Sequence, residues 1–363
     1  MAPATGPGIL RAGIPLTSDY VLLDIRPERA GRAPGADTGH GCPGLPGVGS
    51  GSRPVLAIGV FDGVHVGHQS LLRNALQMAG GLGAPLWVLT FWPHPEDLLA
   101  GAGKDGRSYL ATLEDKVRLL KSAGADEIVV LHFTRRTADI APEDFVKGTL
   151  ARRLAPRAVV VGFNFTFGRR GRGTPGLLRD LGTAVGIEVV VHPAVKLDGE
   201  VVSSSSVRAS VQRGDLQRAG LLLGRPYSLA GPVERGAGRG RGLGFPTLNV
   251  AVPDRVIYPA GGVYACAFHD SADAVLALAP GSWRPAVANV GTAPTFTASD
   301  PDAPVKVEVH MLSGEPPSRG DPVRVSFMRR LRPETRFSGP EELRSQIARD
   351  CDEARRYFRT MGA

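Results

Sequence analysis

Cysteine is scarce in this sequence: Cys42, Cys266 and Cys351 are the three in 363 residues, they lie far apart, and no CxxC pair is formed. That spacing excludes a zinc ribbon or a redox dithiol and fits a reducing compartment. No apolar stretch approaches the ~20 residues of a membrane span. The start, Met1 to Tyr20, also lacks the charged-then-apolar order of a secretory leader, so a cytoplasmic protein with no membrane partner is expected. Aromatic residues make up 6% of the chain, and the basic runs Arg152-Arg153, Arg169 to Arg172 and Arg329 to Arg336 are short and not interleaved with them. A single-strand nucleic-acid platform is therefore not expected, and the net charge of +8 reads as a field suited to polyanionic small molecules. The chain has no GxxxxGK[ST] string, which removes the commonest phosphate-cradling loop.

What is present in quantity is turn chemistry, 47 Gly and 30 Pro, in a chain long enough for two cores. Residues 1–53 are dense in Gly, Pro and Ala; only Tyr20 to Asp24 looks capable of regular structure, and the rest reads as a mobile segment. After Pro54 the texture changes. Apolar runs at Val55–Gly59, Pro85–Phe91, Glu127–Phe133, Ala158–Phe163 and Ile187–Val191 read as strands. They alternate with helical spacing at His68–Gly80, Thr112–Ala123, Pro142–Leu154 and Thr174–Val185, which predicts a parallel α/β sheet with helices on both faces. Short helices at Ser205–Arg213 and Asp215–Leu223 lead to Gly224-Arg225-Pro226, which is read as the end of a first module spanning 54–224. From 225 to 363 the pattern is strand-like, at Gly262–Phe268, Arg284–Val290, Val305–Leu312 and Pro322–Phe327. It predicts a small antiparallel β-barrel closed by an amphipathic helix carrying Leu343, Ile347, Cys351, Ala354 and Phe358.

Ile58 to His68 reads IGVFDGVHVGH and falls where the first strand turns into the first helix, the crevice in which open α/β sheets hold ligands. Gly59, Gly63 and Gly67 permit close backbone approach, the helix start offers free N–H groups, and His65 and His68 bring two imidazoles to one place. Either histidine alone would be read as a cap or a solvated side chain; the HxGH spacing at such a turn suits a triphosphate.

The HxGH turn resembles that of the nucleotidylyltransferase superfamily, and GVFDGVHVGHQ is similar to the bacterial bifunctional riboflavin kinase/FAD synthetase family. Thr90-Phe-Trp-Pro-His-Pro95 resembles its TFxPHP segment, Val161 to Gly168 its VGxNFxFG segment, and Val202 to Arg208 its ISSTxxR segment. The resemblance implies a Rossmann-like nucleotidylyltransferase domain in which FMN phosphate attacks the α-phosphorus of ATP, forming FAD and releasing pyrophosphate. It assigns catalysis to His65 and His68. Nucleotide and phosphate binding would fall to Gly59, Phe61, Asp62, Gly63, Asn164, Ser204, Ser205 and Arg208, and flavin binding to His94, Pro95 and Phe167.

In the second module, GRPYSLAGPVERGAGRGRGLGFPTLN resembles the riboflavin kinase module. Without that likeness its Gly-rich stretch is a loop between strands, since it lacks the strand-turn-helix setting of a dinucleotide fingerprint. The resemblance implies that loop residues Gly236 and Gly238 cover ATP phosphates, that Thr247 and Asn249 bind Mg²⁺ as hard oxygen ligands, that Glu308 is the catalytic base, and that Arg332 lies near the flavin. Ala293, Leu248, Ser313 and Val201 depart from the common family pattern, none of them at a position assigned to chemistry. The expected partners are thus riboflavin, FMN and ATP, with self-association left open. The rivals are a single-activity paralogue with one live site and a non-catalytic flavin- or nucleotide-sensing protein that binds RNA.

Overall fold

Near-continuous apolar runs build the first sheet, because a strand covered by helices on both faces has no wet side. The computed structural model describes residues 19–24, 53–99, 109–234, 239–253, 255–274, 281–292 and 305–361. In chain order these carry β1 (Val21–Leu23), β2 (Val55–Ile58), α1 (Val66–Leu82), β3 (Leu86–Trp92), α2 (Pro95–Leu99), α3 (Leu113–Ser122), β4 (Glu127–His132), α4 (Arg135–Ala138) and α5 (Pro142–Asp144). The helix begun by α5 continues as wider π-type turns over Phe145–Leu154. Next come β5 (Ala158–Gly162), α6 (Pro175–Ala184), β6 (Glu188–His192) and the hairpin β7 (Lys196–Leu197) with β8 (Glu200–Val201). The sheet order is β1-β4-β3-β2-β5-β6, parallel throughout. From β2 the chain steps outward one way through β3 and β4, then crosses back to β5 and β6, so β2 and β5 flank the topological switch point. One core lies on a face of this sheet, with Leu56, Ile58, Leu89, Val129, Val159 and Val161 packed on Phe145, Leu150 and Leu178.

The second architecture comprises α7 (Ser204–Arg213), α8 (Leu216–Leu223), β9 (Tyr227–Glu234), α9 (Arg239–Gly242), β10 (Leu248–Val250), β11 (Gly262–His269), β12 (Arg284–Thr292), β13 (Val305–Met311), β14 (Pro322–Pro333) and α10 (Pro340–Thr360). Its strands close into an antiparallel barrel in the order β10-β13-β12-β11-β14-β9. The predicted stripe on α10 seats Cys351, Ala354 and Phe358 against Val263, Ala265, Ala267, Val287 and Met328.

Within residues 1–53, the stretch Tyr20 to Asp24 that looked capable of regular structure carries β1, which pairs in register with β4, Val21 opposite Val129. By its contacts the chain divides into one unit of residues 1–107 and 116–201 and another of 108–115 and 202–363. Residues 202–224 join the second unit because α7 packs on α8, and α8 on β9 and β14. Its apolar face, with Ala219, Leu222 and Leu223 buried, finds its cover on the barrel.

Within the second unit the guanidinium of Arg324, 1% exposed, is fully engaged. It donates to both oxygens of Asp115 at 2.5 and 3.1 Å, to Ser228 Oγ at 3.0 Å and to the Ala272 carbonyl. Removing one member of a buried ion pair strands the other charge. Arg324→Met is therefore expected to cost about 3–5 kcal/mol, read as a lowered urea midpoint. The double change Asp115→Asn with Arg324→Met recovers part of the loss.

Candidate active sites

The turn between β2 and α1 is tightly wound. Phe61 and Val64 adopt left-handed backbone at φ 52° and 41°, on either side of Gly63 at φ 74°. Two bulky residues in that region mark a conformation the surroundings impose. Phe61 and Val64 are buried, and a Cβ on Gly59 would lie 3.0 Å from the Phe61 ring, so the ring and that glycine fit each other. Thr90 fastens the turn to β3 by donating to the Val60 carbonyl at 3.0 Å.

The turn delivers both imidazoles to the start of α1. His65 is the N-cap, its Nδ1 accepting from the His68 backbone N–H at 3.3 Å, and that places the proton of neutral His65 on Nε2. The rings stack with centroids 3.6 Å apart and 15° between planes, and Phe61 meets His68 edge-on. The first intrahelical bond runs from Gln69 N–H to the His65 carbonyl, which leaves the N–H groups of Val66 and Gly67 without an intrahelical acceptor. Burial, then the proximity of His65 and Lys116, holds the His68 imidazole well below its ordinary pKa. His68 Nδ1 is buried with no hydrogen-bond partner. Two stacked imidazoles, with that of His68 held neutral, and helix N–H groups without an intrahelical acceptor are groups that can receive phosphate oxygens.

Asn164 is exposed on the loop after β5, across the switch point from this turn, with Phe165 N–H closing back on the Gly162 carbonyl at 3.1 Å. Asp62 is buried within the turn. His94 is buried and accepts from the Glu96 N–H at 3.1 Å, capping α2, whose first residue is Pro95. The ring of Phe167, which the resemblance assigns to flavin, lies in the core between Phe145 and Phe165, and a Cβ on Gly173 would come within 2.5 Å of it. The exposed aromatic of that loop is Phe163. Ser204 and Ser205 open α7, whose N-cap Ser203 makes a capping box with Ser206, and Arg208 follows one turn on, its Nη2 donating to Ser205 Oγ at 3.3 Å.

In the barrel, antiparallel register sets the assigned residues in one row. Asn249 is opposite Glu308, and Glu308 is opposite Asn289. Directly opposed residues put their side chains on the same face, Cβ atoms about 5 Å apart. Leu248, Val250, Val307 and Val309, on the alternate positions, are buried, whereas Asn249 and Glu308 are half-buried. Thr247 immediately precedes β10, two residues before Asn249, and is exposed. The Gly240 backbone closes on it, since a Cβ there would lie 3.2 Å from Thr247 Oγ1. The Asn249 amide nitrogen is buried without a partner. The Thr247 hydroxyl, the Asn249 amide oxygen and the Glu308 carboxylate are hard oxygens, the ligand type that suits Mg²⁺, which takes few protein ligands and completes its shell with phosphate oxygens and water.

Sequence reasoning missed Asn289 and Glu334. Asn289 hydrogen-bonds the Glu334 carboxyl, which burial raises above its ordinary range, while Arg332 works in the opposite sense. A Cβ on Gly291 would overlap Glu334 Oε1 at 1.8 Å, so only glycine leaves room for that carboxyl. The signal for Asn289 was its register with Glu308; Glu334 carried none. Arg332, which the resemblance sets near the flavin, grips buried Asp350 with Nε and Nη2 at 2.9–3.0 Å and lies over the Phe337 ring, which ties β14 to α10. Gly236 and Gly238 lie outside the described residues.

Comparison with known proteins matches both halves. A family model described as FAD synthetase covers residues 50–206 and one described as riboflavin kinase covers 223–358. The bifunctional riboflavin kinase/FMN adenylyltransferase of Bacillus subtilis (strain 168) is 36% identical over 85% of this chain and 93% of its own length. The protein of that name from Escherichia coli (strain K12) is 34% identical over 84% and 92%. A crystal structure described as a macrolide-efflux protein from Streptococcus pneumoniae superposes with a TM-score of 0.75 at 27% identity, over 93% of this chain and 99% of that one. Among the described residues no helix is long and apolar enough to cross a membrane, so that likeness speaks for the fold. With both halves matched in order and nearly the whole length of its relatives covered, the chain belongs to the bifunctional riboflavin kinase/FMN adenylyltransferase family.

Proposed function

We infer that this chain performs two ATP-dependent steps: the barrel unit phosphorylates riboflavin to FMN, and the parallel-sheet unit adenylylates FMN to FAD with release of pyrophosphate. The observation that carries the reading is that each unit holds a separate polar constellation suited to phosphoryl chemistry, His65 with His68 at the switch point and Asn249 with Glu308 across the barrel ladder. In the adenylyl step an FMN phosphate oxygen attacks the α-phosphorus and the bridging bond to the β-phosphate breaks. No enzyme nucleophile is required; the imidazoles and the free N–H groups of α1 stabilise charge on the phosphoryl oxygens, and Asn164 faces the nucleotide. In the kinase step Glu308 takes the proton from the riboflavin 5'-hydroxyl as its oxygen attacks the γ-phosphorus, and ADP leaves.

Thr247 and Asn249 would hold a Mg²⁺ ion, which when bound neutralises charge on the nucleotide phosphates. The reading includes a cytoplasmic location, supported by the demand for ATP in both steps and by the buried, unbridged thiols of Cys266 and Cys351. Purified protein given riboflavin, ATP and Mg²⁺ is expected to accumulate FMN and then FAD, resolved by chromatography. FMN without FAD, or no turnover at all, defeats the two-step reading.

A further inference from the structure

Lysine is almost never fully buried without a task for its charge, and Lys116 on α3 is 1% exposed. Its Nζ donates to the Phe91 carbonyl at 3.5 Å, long for such a bond, and stands 5.3 Å over the Trp92 ring. Both residues end β3, the neighbour of β2, and Thr90 just before them is the residue that fastens the Val60 carbonyl. The ammonium is thereby set beside the turn that carries Asp62 and the two histidines. Burial pushes Lys116 down to about 8, with the Asp62 carboxylate acting in the opposite sense. Lys116 in turn is the third influence on His68, after burial and His65. The charged and titratable groups acting here are thus Asp62 on the turn, His65 and His68 at the head of α1, and Lys116 on α3, while β3 contributes a carbonyl and a ring.

A triphosphate arriving at the head of α1 brings negative charge that favours protonated imidazole. A fixed cation behind the ring opposes this, and its attraction for Asp62 braces a turn whose backbone is strained at Phe61 and Val64. We propose that Lys116 is a positioning residue for adenylyl transfer, bracing the 61–64 turn through Asp62 and keeping His68 an uncharged hydrogen-bond donor toward the nucleotide. The proposal rests on the assignment of His65 and His68 to that step.

The test compares Lys116→Met and Lys116→Arg with the unsubstituted chain. In Lys116→Met, FAD formation from supplied FMN falls about 100-fold, the scale of a small misplacement at a reacting centre, while conversion of riboflavin to FMN keeps its rate and reports that the chain is folded. With the cation gone, the His68 imidazole, followed by NMR in the free protein, titrates at higher pH, and the acid limb of the FAD-forming rate moves up with it. Lys116→Arg keeps both near their original positions. A Met variant that makes FAD at the original rate, or whose rate falls with the His68 titration unmoved, overturns the proposal. Should that variant fail to fold, Lys116→Gln, which removes the cation but keeps a polar end, is read the same way, and an unmoved His68 titration in it is equally fatal. His68→Ala run alongside separates the two claims: continued FAD synthesis there refutes the assignment of the imidazoles, whereas the Lys116 effect on the His68 titration is read without any turnover.

Discussion

His68→Ala is expected to lower FAD formation about 10²–10³-fold, the typical cost of losing one preorganised donor to a phosphoryl or oxyanion transition state, while riboflavin is still converted to FMN. The imidazole is half-buried, held neutral and stacked on His65, so it meets developing charge without first reorganising. Truncation leaves the α1 cap intact, because the cap is His65 Nδ1 accepting from the backbone of residue 68. The loss is therefore chemical and not a matter of helix stability. Chromatography of the reaction mixture should show FMN building up and FAD at a trace. Far-ultraviolet circular dichroism is expected to be unchanged.

The mirror result is expected of Glu308→Gln, which keeps the volume and the register contacts with Asn249 and Asn289 but removes the base. General-base loss costs about 10²–10⁴, so FMN formation from riboflavin should fall by that factor, with FAD formation from supplied FMN at its original rate. If either substitution stopped both steps in a folded protein, the division of labour between the units would be wrong.

The five central strands and their helices were legible because buried parallel strands are written as apolar runs such as Ala158-Val-Val-Val-Gly162, and periodicity is a local property. β9 and β10 were not. Tyr227–Glu234 contains Gly231 and Pro232, which read as a loop, and Leu248–Val250 is three residues long, its strand character supplied by closure against β13 and β9. Side-chain direction was the other illegible quantity. Nothing local says that Phe167 turns inward while Phe163 turns out, since the packing on Gly173 decides it. Arg332 meets an aspartate eighteen residues on, across a strand and a helix. Lys116, within Glu-Asp-Lys-Val-Arg on an amphipathic helix, reads as one more solvated charge, and only the fold shows it sealed against Phe91 and Trp92.

β1 has a consequence for any shortened form of this chain. It occupies the outer margin of β4, and β4 has no other neighbour on that side. A version beginning after Asp24 would retain both chemistries but display a bare row of amides and carbonyls along Val129, Val130 and Leu131, an adhesive border through which molecules could stick to one another edge to edge. Three residues in a tract otherwise rich in glycine and proline thus act as a selvedge, and their service is to solubility.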